Sequence, residues 1–191
     1  MQIGRDSSAV ASSGEQVIRA ATEGLEVDVV WMPFELRPYP TPTLRPEDEY
    51  LPTAWKQGVY PAAERMGIAI RLPTISPQPY TRKAFLGLQY AAEHGQADAY
   101  VVAVLRAFFQ QDSDIGDTEV LKAILQDLGL DPSGLDGVLA SPLHGERHDA
   151  ALREAREMGI RAVPAVAVGN RPFSGTPRPE ALRAEILRQA A

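Results

Sequence analysis

Arg161-Ala162-Val163-Pro164-Ala165-Val166-Ala167-Val168-Gly169-Asn170 is where the chain stops reading as helix. From Ala162 to Val168 the side chains are small or β-branched and wholly apolar, with no 3.6-residue repeat, and they predict a buried strand. Gly169-Asn170 is two-residue turn chemistry and leads to a short second strand over Arg171 to Ser174. Good helix formers resume from Pro179 to Gln189, so the chain closes as a hairpin followed by a helix.

Upstream of the hairpin lies a long helical block. Tyr80 to His94 sets Ala84, Phe85, Leu88, Ala91 and Ala92 at helical spacing and stops at Gly95; Ala97 to Gln110 follows with Val101, Val104, Leu105 and Phe108. Asp117 caps Thr118 to Leu128, Asp131-Pro132 opens another helix, and a further one runs from about Asp149 to Met158. Glu47 to Met66 reads helical with breaks near Pro52, Gly58 and Pro61, its first turn holding the acidic Glu47-Asp48-Glu49. A short extended piece follows at Ile68 to Leu72. Prolines 33, 38, 40, 42 and 46 remove N–H donors and restrict the residues before them, which makes Pro33 to Pro46 an extended connector.

Before that connector, Leu25 to Met32 alternates apolar with acidic residues and then becomes wholly apolar, a strand signature. A helix from Gly14 to Ala21, stopped by Gly24, precedes it, and Met1 to Ser12 reads as a weak strand or a loop. The order is that of an α/β, thioredoxin-like fold with a large helical insertion between an N-terminal strand-helix-strand and a C-terminal hairpin-helix. One domain is expected over residues 1–191, with 1–46 and 160–191 as the thioredoxin-like core and 47–159 as the insertion.

Composition narrows function by exclusion. The 191 residues hold no cysteine, so disulfides, thiolate metal sites and thiol-disulfide exchange by the chain's own side chains are ruled out. Lys and Arg number 19 against 25 Asp and Glu, a net charge of -6 that opposes binding to nucleic acid or an anionic membrane. The longest apolar runs, Tyr100 to Leu105 and Ala162 to Val168, fall far short of the ~20 residues that cross a bilayer, and Met1 to Val10 lacks a signal-peptide core. The expected location is the cytoplasm.

Three stretches resemble the DsbA-like family, in its FrnE-type branch of thiol-disulfide oxidoreductases. They are Val30-Trp31-Met32-Pro33-Phe34-Glu35-Leu36-Arg37-Pro38; the run from Ala107-Phe108-Phe109 through Asp114-Ile115-Gly116-Asp117 to Leu128-Gly129-Leu130-Asp131; and Gly159-Ile160-Arg161-Ala162-Val163-Pro164-Ala165 with Ser174-Gly175 and the last helix. The resemblance implies a cis peptide bond at Pro164, and backbone at Val163 and Pro164 that binds an extended substrate. The family carries C-x-x-C at the start of its first helix, where the helix dipole stabilises a thiolate. The corresponding window here is Ser8-Ala9-Val10-Ala11-Ser12, which leaves Ser8 and Ser12 as candidates at the position of the missing motif. A related branch, the kappa-class glutathione transferases and 2-hydroxychromene-2-carboxylate isomerases, uses a serine there to hold the thiolate of glutathione. Ser8 would then orient glutathione as a cofactor, although short Ser and Ala runs favour a loop, so a flexible serine-rich N-terminus is the preferred reading of the same residues.

Three functions are therefore expected: a redox-inactive homologue that binds an extended peptide by strand addition at Val163 and Pro164, a glutathione-dependent isomerase or transferase, or an N-terminally altered form of a disulfide oxidoreductase. An exposed edge beside a weak first strand favours pairing into a homodimer. His144 and His148 have half of a metal-site spacing, but Gly145 lies between them and no third ligand is identifiable, so they read as a solvated helix start. Asp112, Asp114 and Asp117 fail as a calcium loop because Gly116 comes one place early and Ala123 stands where a glutamate is needed. No metal is expected. Trp31, Phe34, Phe108 and Phe109 read as core or groove lining.

Overall fold

A computed structural model describes residues 13–65, 69–161, 163, 165–173 and 177–190. Helix α1 (Ser13–Thr22) is followed by the proline-rich connector, which is irregular as expected. Then α2 (Tyr50–Ala54), a π turn at Trp55–Val59 and α3 (Tyr60–Arg65) form one continuous helical run. Pro52 is tolerated there because it lies in the first turn, and the wider π turn stands just before Pro61, which has no N–H to give. The run begins at Tyr50, so Glu47 lies outside it and instead accepts from Ser76 Oγ at 2.7 Å and pairs with Arg45 at 3.3 Å.

The helical block is built on α4 (Arg82–Glu93), which packs against α5 (Ala97–Phe109), α6 (Thr118–Asp127), α7 (Gly134–Ala140) and α8 (Pro142–Glu157). Surrounded on several sides, α4 buries Leu86, Gly87, Leu88, Tyr90 and Ala91, and the main core joins them to Tyr100, Leu121, Leu125 and Leu135. Glycine sets how closely these helices approach. A Cβ on Gly87 would stand 2.2 Å from the hydroxyl of buried Tyr100, and one on Gly134 would stand 2.3 Å from the ring of Tyr90.

Side-chain caps set the starts of α6 and α8. Asp117 accepts from the Glu119 amide at 2.9 Å and begins α6 as expected. Asp131 instead closes a turn on Ser133, whose amide it accepts at 2.9 Å, and α7 starts only at Gly134. The helix expected from about Asp149 begins seven residues earlier, at Pro142, because Ser141 accepts from the His144 amide at 3.4 Å and proline occupies the first helical position.

A second, smaller core joins α1, the hairpin and α9 (Pro179–Ala190) through Ala21, Val166 and Leu182, with Ile18, Val168 and Ile186 against them. Strands β1 (Val166–Val168) and β2 (Arg171–Phe173) pair antiparallel with Val166 opposite Phe173, and Gly169 turns the hairpin at φ 54°. Of the expected Ala162–Val168 strand, Val163 and Ala165 stand outside the ladder and Ala162 and Pro164 lie outside the described residues; the second strand covers Arg171–Phe173 as expected, with Ser174 outside the described residues. The expected strand at Leu25–Met32 runs without regular ladder bonds, and β1 and β2 form the sheet among the described residues. Alternation encodes which side chains turn inward, whereas a ladder also needs a neighbour, and no described segment lies beside residues 25–32 as one. Among the described residues no helix is long and apolar enough to cross a membrane.

Two glycine substitutions test this packing by urea denaturation. Gly87→Ala should destabilise the fold by about 1–3 kcal/mol, since Tyr100 has nowhere to move. Gly137→Ala, a helical site with open space around it, should raise stability by about 0.5–1 kcal/mol.

Candidate functional site

A groove of about 720 Å³ separates the extended segment Val27–Met32 from β1. Its floor comes from the small core, at Ile18, Leu182 and Ile186, and α8 and its exit contribute Glu154, Met158 and Ile160. The lining is mainly apolar, and Val27, Val29, Val30 and Met32 keep 37%, 40%, 73% and 43% of their surface exposed. Neither segment 27–32 nor the second edge of β1 has a ladder partner among the described residues. Two lengths of extended backbone, neither with a further ladder partner among the described residues, thus flank one apolar trough.

Glu185 ties the two ends of this wall together. It is buried on α9, where it accepts from Arg171 of β2 at 2.6 Å, from Gln189 at 2.8 Å, from Arg188 Nε at 3.0 Å and from Arg188 Nη2. Arg188 first, then Gln189 and Arg171, hold its carboxyl well below the ordinary 4.5, at about 2. Gln189 also donates to the Val168 carbonyl at 2.9 Å, so α9 grips β1 as well as β2.

Of the expected site residues, only Val163 is among the described ones, and it is not part of the groove lining. Val163 is 46% exposed and lies just ahead of β1. Pro164, Ser8 and Ser12 lie outside the described residues. The peptide bond expected to be cis at Pro164 lies outside them too; the cis bonds among them are Tyr39–Pro40 and Ser76–Pro77. Trp31 is partly buried against the main core and donates to Asp98 Oδ1 at 2.6 Å, while Phe108 packs on the same core. The three aspartates turn to separate partners: Asp112 accepts from the Thr74 amide at 2.7 Å, Asp114 from the Gly116 amide at 2.8 Å, and Asp117 caps α6.

The expectation of a solvated helix start at His144 and His148 is corrected. His148 is 1% exposed, and its Nε2 meets Oε1 of Glu35, itself 7% exposed, at 2.5 Å. His144 turns to Glu93 instead, at 3.2 Å. The earlier start of α8 is the physical reason, since it carries His148 a full turn into the helix and onto the face that packs on α4. Beside the pair, Arg82 binds Asp149 at 2.5 Å and lowers that carboxyl below its usual range. Sequence reasoning missed Glu35–His148 because the partners stand 113 residues apart; the one visible signal was a lone acid in the apolar, proline-flanked run Trp31 to Leu36.

Comparison with known proteins agrees with this architecture. A family model described as DSBA-like thioredoxin domain matches residues 11–187. The chain is similar to the uncharacterized protein YwbO of Bacillus subtilis (strain 168), 37% identical over 164 residues that cover 85% of this chain and 82% of that one. It is also similar to the 2-hydroxychromene-2-carboxylate isomerase of Pseudomonas sp. (strain C18), 29% identical over 117 residues that cover 60% of this chain and 55% of the isomerase. The crystal structure of a candidate protein disulfide isomerase from Nitrosomonas europaea shares the fold, with a TM-score of 0.69, 23% identity, and coverage of 92% of this chain and 89% of that one.

Two measurements test the polar fastenings. Ionised Glu185 favours the folded state above pH 4.5, because its folded carboxyl titrates below that value, and the contribution should vanish as pH falls through about 2. Denaturation midpoints across that window should lose part of their pH dependence in Glu185→Gln. Glu35→Ala, which leaves a buried His148 without its partner, should cost about 3–5 kcal/mol, whereas Glu35→Leu combined with His148→Leu should cost much less.

Proposed function

Because the chain belongs to the DSBA-like thioredoxin domain family, we propose that it is a binding member of that family, working without thiol-disulfide exchange by its own side chains. One observation carries this reading: the 191 residues contain no cysteine. Exchange proceeds by attack of a thiolate on a disulfide sulfur, and no other side chain can take either role.

The ligand in this reading is an extended peptide that adds a strand in the groove. A strand there would gain main-chain hydrogen bonds from the edges of β1 and segment 27–32 that lack a partner among the described residues, and would present alternate side chains to the apolar floor. Val163 and Pro164, which lead into β1, are the proposed contacts at one end. Similarity to the 2-hydroxychromene-2-carboxylate isomerase favours a second reading, in which bound glutathione supplies the missing thiol and Ser8 orients it.

Calorimetry separates the two. A fluorescent peptide of alternating valine and polar residues should bind saturably, and Val27→Glu, which puts a charge on the groove wall beside Asp28, should weaken it about tenfold or more, equal to about 1.4 kcal/mol. Reduced glutathione at millimolar concentration should give no heat. Saturable glutathione binding that disappears in Ser8→Ala would replace the peptide reading with the isomerase one.

A further inference from the structure

The side chains with polar atoms on the lining of the groove between segment 27–32 and β1 are Thr22, Asp28, Trp31, Glu154 and Gln189. Their donors are all spent inside the protein. Thr22 Oγ1 donates to the Ile18 carbonyl at 2.9 Å and Trp31 Nε1 to Asp98 at 2.6 Å, while Gln189 Nε2 donates to the Val168 carbonyl at 2.9 Å and to Glu185 at 2.8 Å. Asp28 and Glu154 are exposed carboxylates, and neither has an ion pair or a side-chain hydrogen bond among the described residues. Among those residues no Lys, Arg or His lines the groove. A second cleft, of about 480 Å³, lies on the other side of segment 29–33 against α4 and α8, and there Glu93 and Arg147 on the lining pair with each other at 3.1 Å. Charge is balanced within that cleft and left unbalanced in the groove.

We propose that the extended peptide bound in this groove is a basic one, carrying lysine or arginine between apolar residues; the inference rests on the peptide-binding reading above and names the class of peptide. Lysine and arginine side chains have donors and no acceptor, which complements a lining whose side chains have only acceptors left. Asp28 stands on segment 27–32 and Glu154 on α8, so the two carboxylates belong to different walls. Successive side chains of a strand point to opposite faces. With apolar residues turned to the floor at Ile18, Leu182 and Ile186, the intervening positions are those left for a basic side chain. An acidic peptide would meet two like charges with no cation on the lining to offset them, so the groove discriminates by repulsion as well as by attraction. The net charge of -6 draws any cation to the chain, and the test must separate that general pull from the two carboxylates.

The probes are three end-blocked fluorescent peptides with lysine, glutamine or glutamate at the centre of identical valine-serine-valine flanks, followed by anisotropy at low salt. The lysine peptide should bind about fivefold more tightly than the glutamine one, and the glutamate peptide about fivefold more weakly, as two exposed charge contacts allow. Asp28→Asn combined with Glu154→Gln should bring the three affinities to within about twofold of one another. Asp127→Asn combined with Glu146→Gln makes the same change in net charge at two exposed acids off the groove lining, and should keep the ranking. Equal affinity for the three peptides, a ranking that survives the groove variant, or a ranking lost equally in both variants would each overturn the proposal and leave the peptide reading standing. Saturable binding of none of the three would overturn both.

Discussion

Glu35 and His148 meet at 2.5 Å with almost no surface exposed, and a buried pair of this kind tolerates little displacement, because separating the partners strands each in a medium that solvates neither. The connector is otherwise irregular and rich in proline, with few backbone bonds of its own. The pair therefore determines where it returns to α8, and with it the course of segment 27–33. Trp31, bonded to Asp98 at the start of α5, is a second anchor on the same segment. Both clefts take one wall from the chain held between these points.

The two cores are stabilised differently. Around α4 the apolar surface is continuous, and Leu121, Leu125 and Leu135 are fully buried, so hydrophobic burial dominates there. The small core of α1, the hairpin and α9 buries few large side chains and relies on polar ties. Arg183 of α9 donates to the Ala21 and Glu23 carbonyls at 3.1 and 2.8 Å, satisfying acceptors that the end of α1 leaves open. On the hairpin, Gln189 donates to the Val168 carbonyl and Glu185 accepts from the Arg171 side chain. Charged ties on a small core are more sensitive to pH and salt than the buried leucines of the helical block.

The sequence was legible where a signal is local. Helical spacing from Ala84 to Ala92, the stop at Gly95, the cap at Asp117 and the Gly169-Asn170 turn each encode their structure within a few residues, and the corresponding elements stand where expected. The start of α8 was equally local in Ser141-Pro142, but Gly145 and two histidines masked it as loop-like. Leu25 to Met32 shows a different limit: its apolar alternation is real, yet pairing depends on what lies beside it. Val163 could be named as a candidate only because a resemblance implied a role for it, whereas no feature of residues 35 and 148 links them before the chain is folded.

A family fold does not carry its chemistry with it, since chemistry belongs to particular side chains and here the thiols are absent. What persists is geometry, with extended edges on one face of segment 27–33 and a mainly apolar cleft on the other. The two share Val29 to Met32, so they are not independent sites. A strand bonded along one edge would also fix the backbone from which Trp31 and Met32 reach into the other cleft.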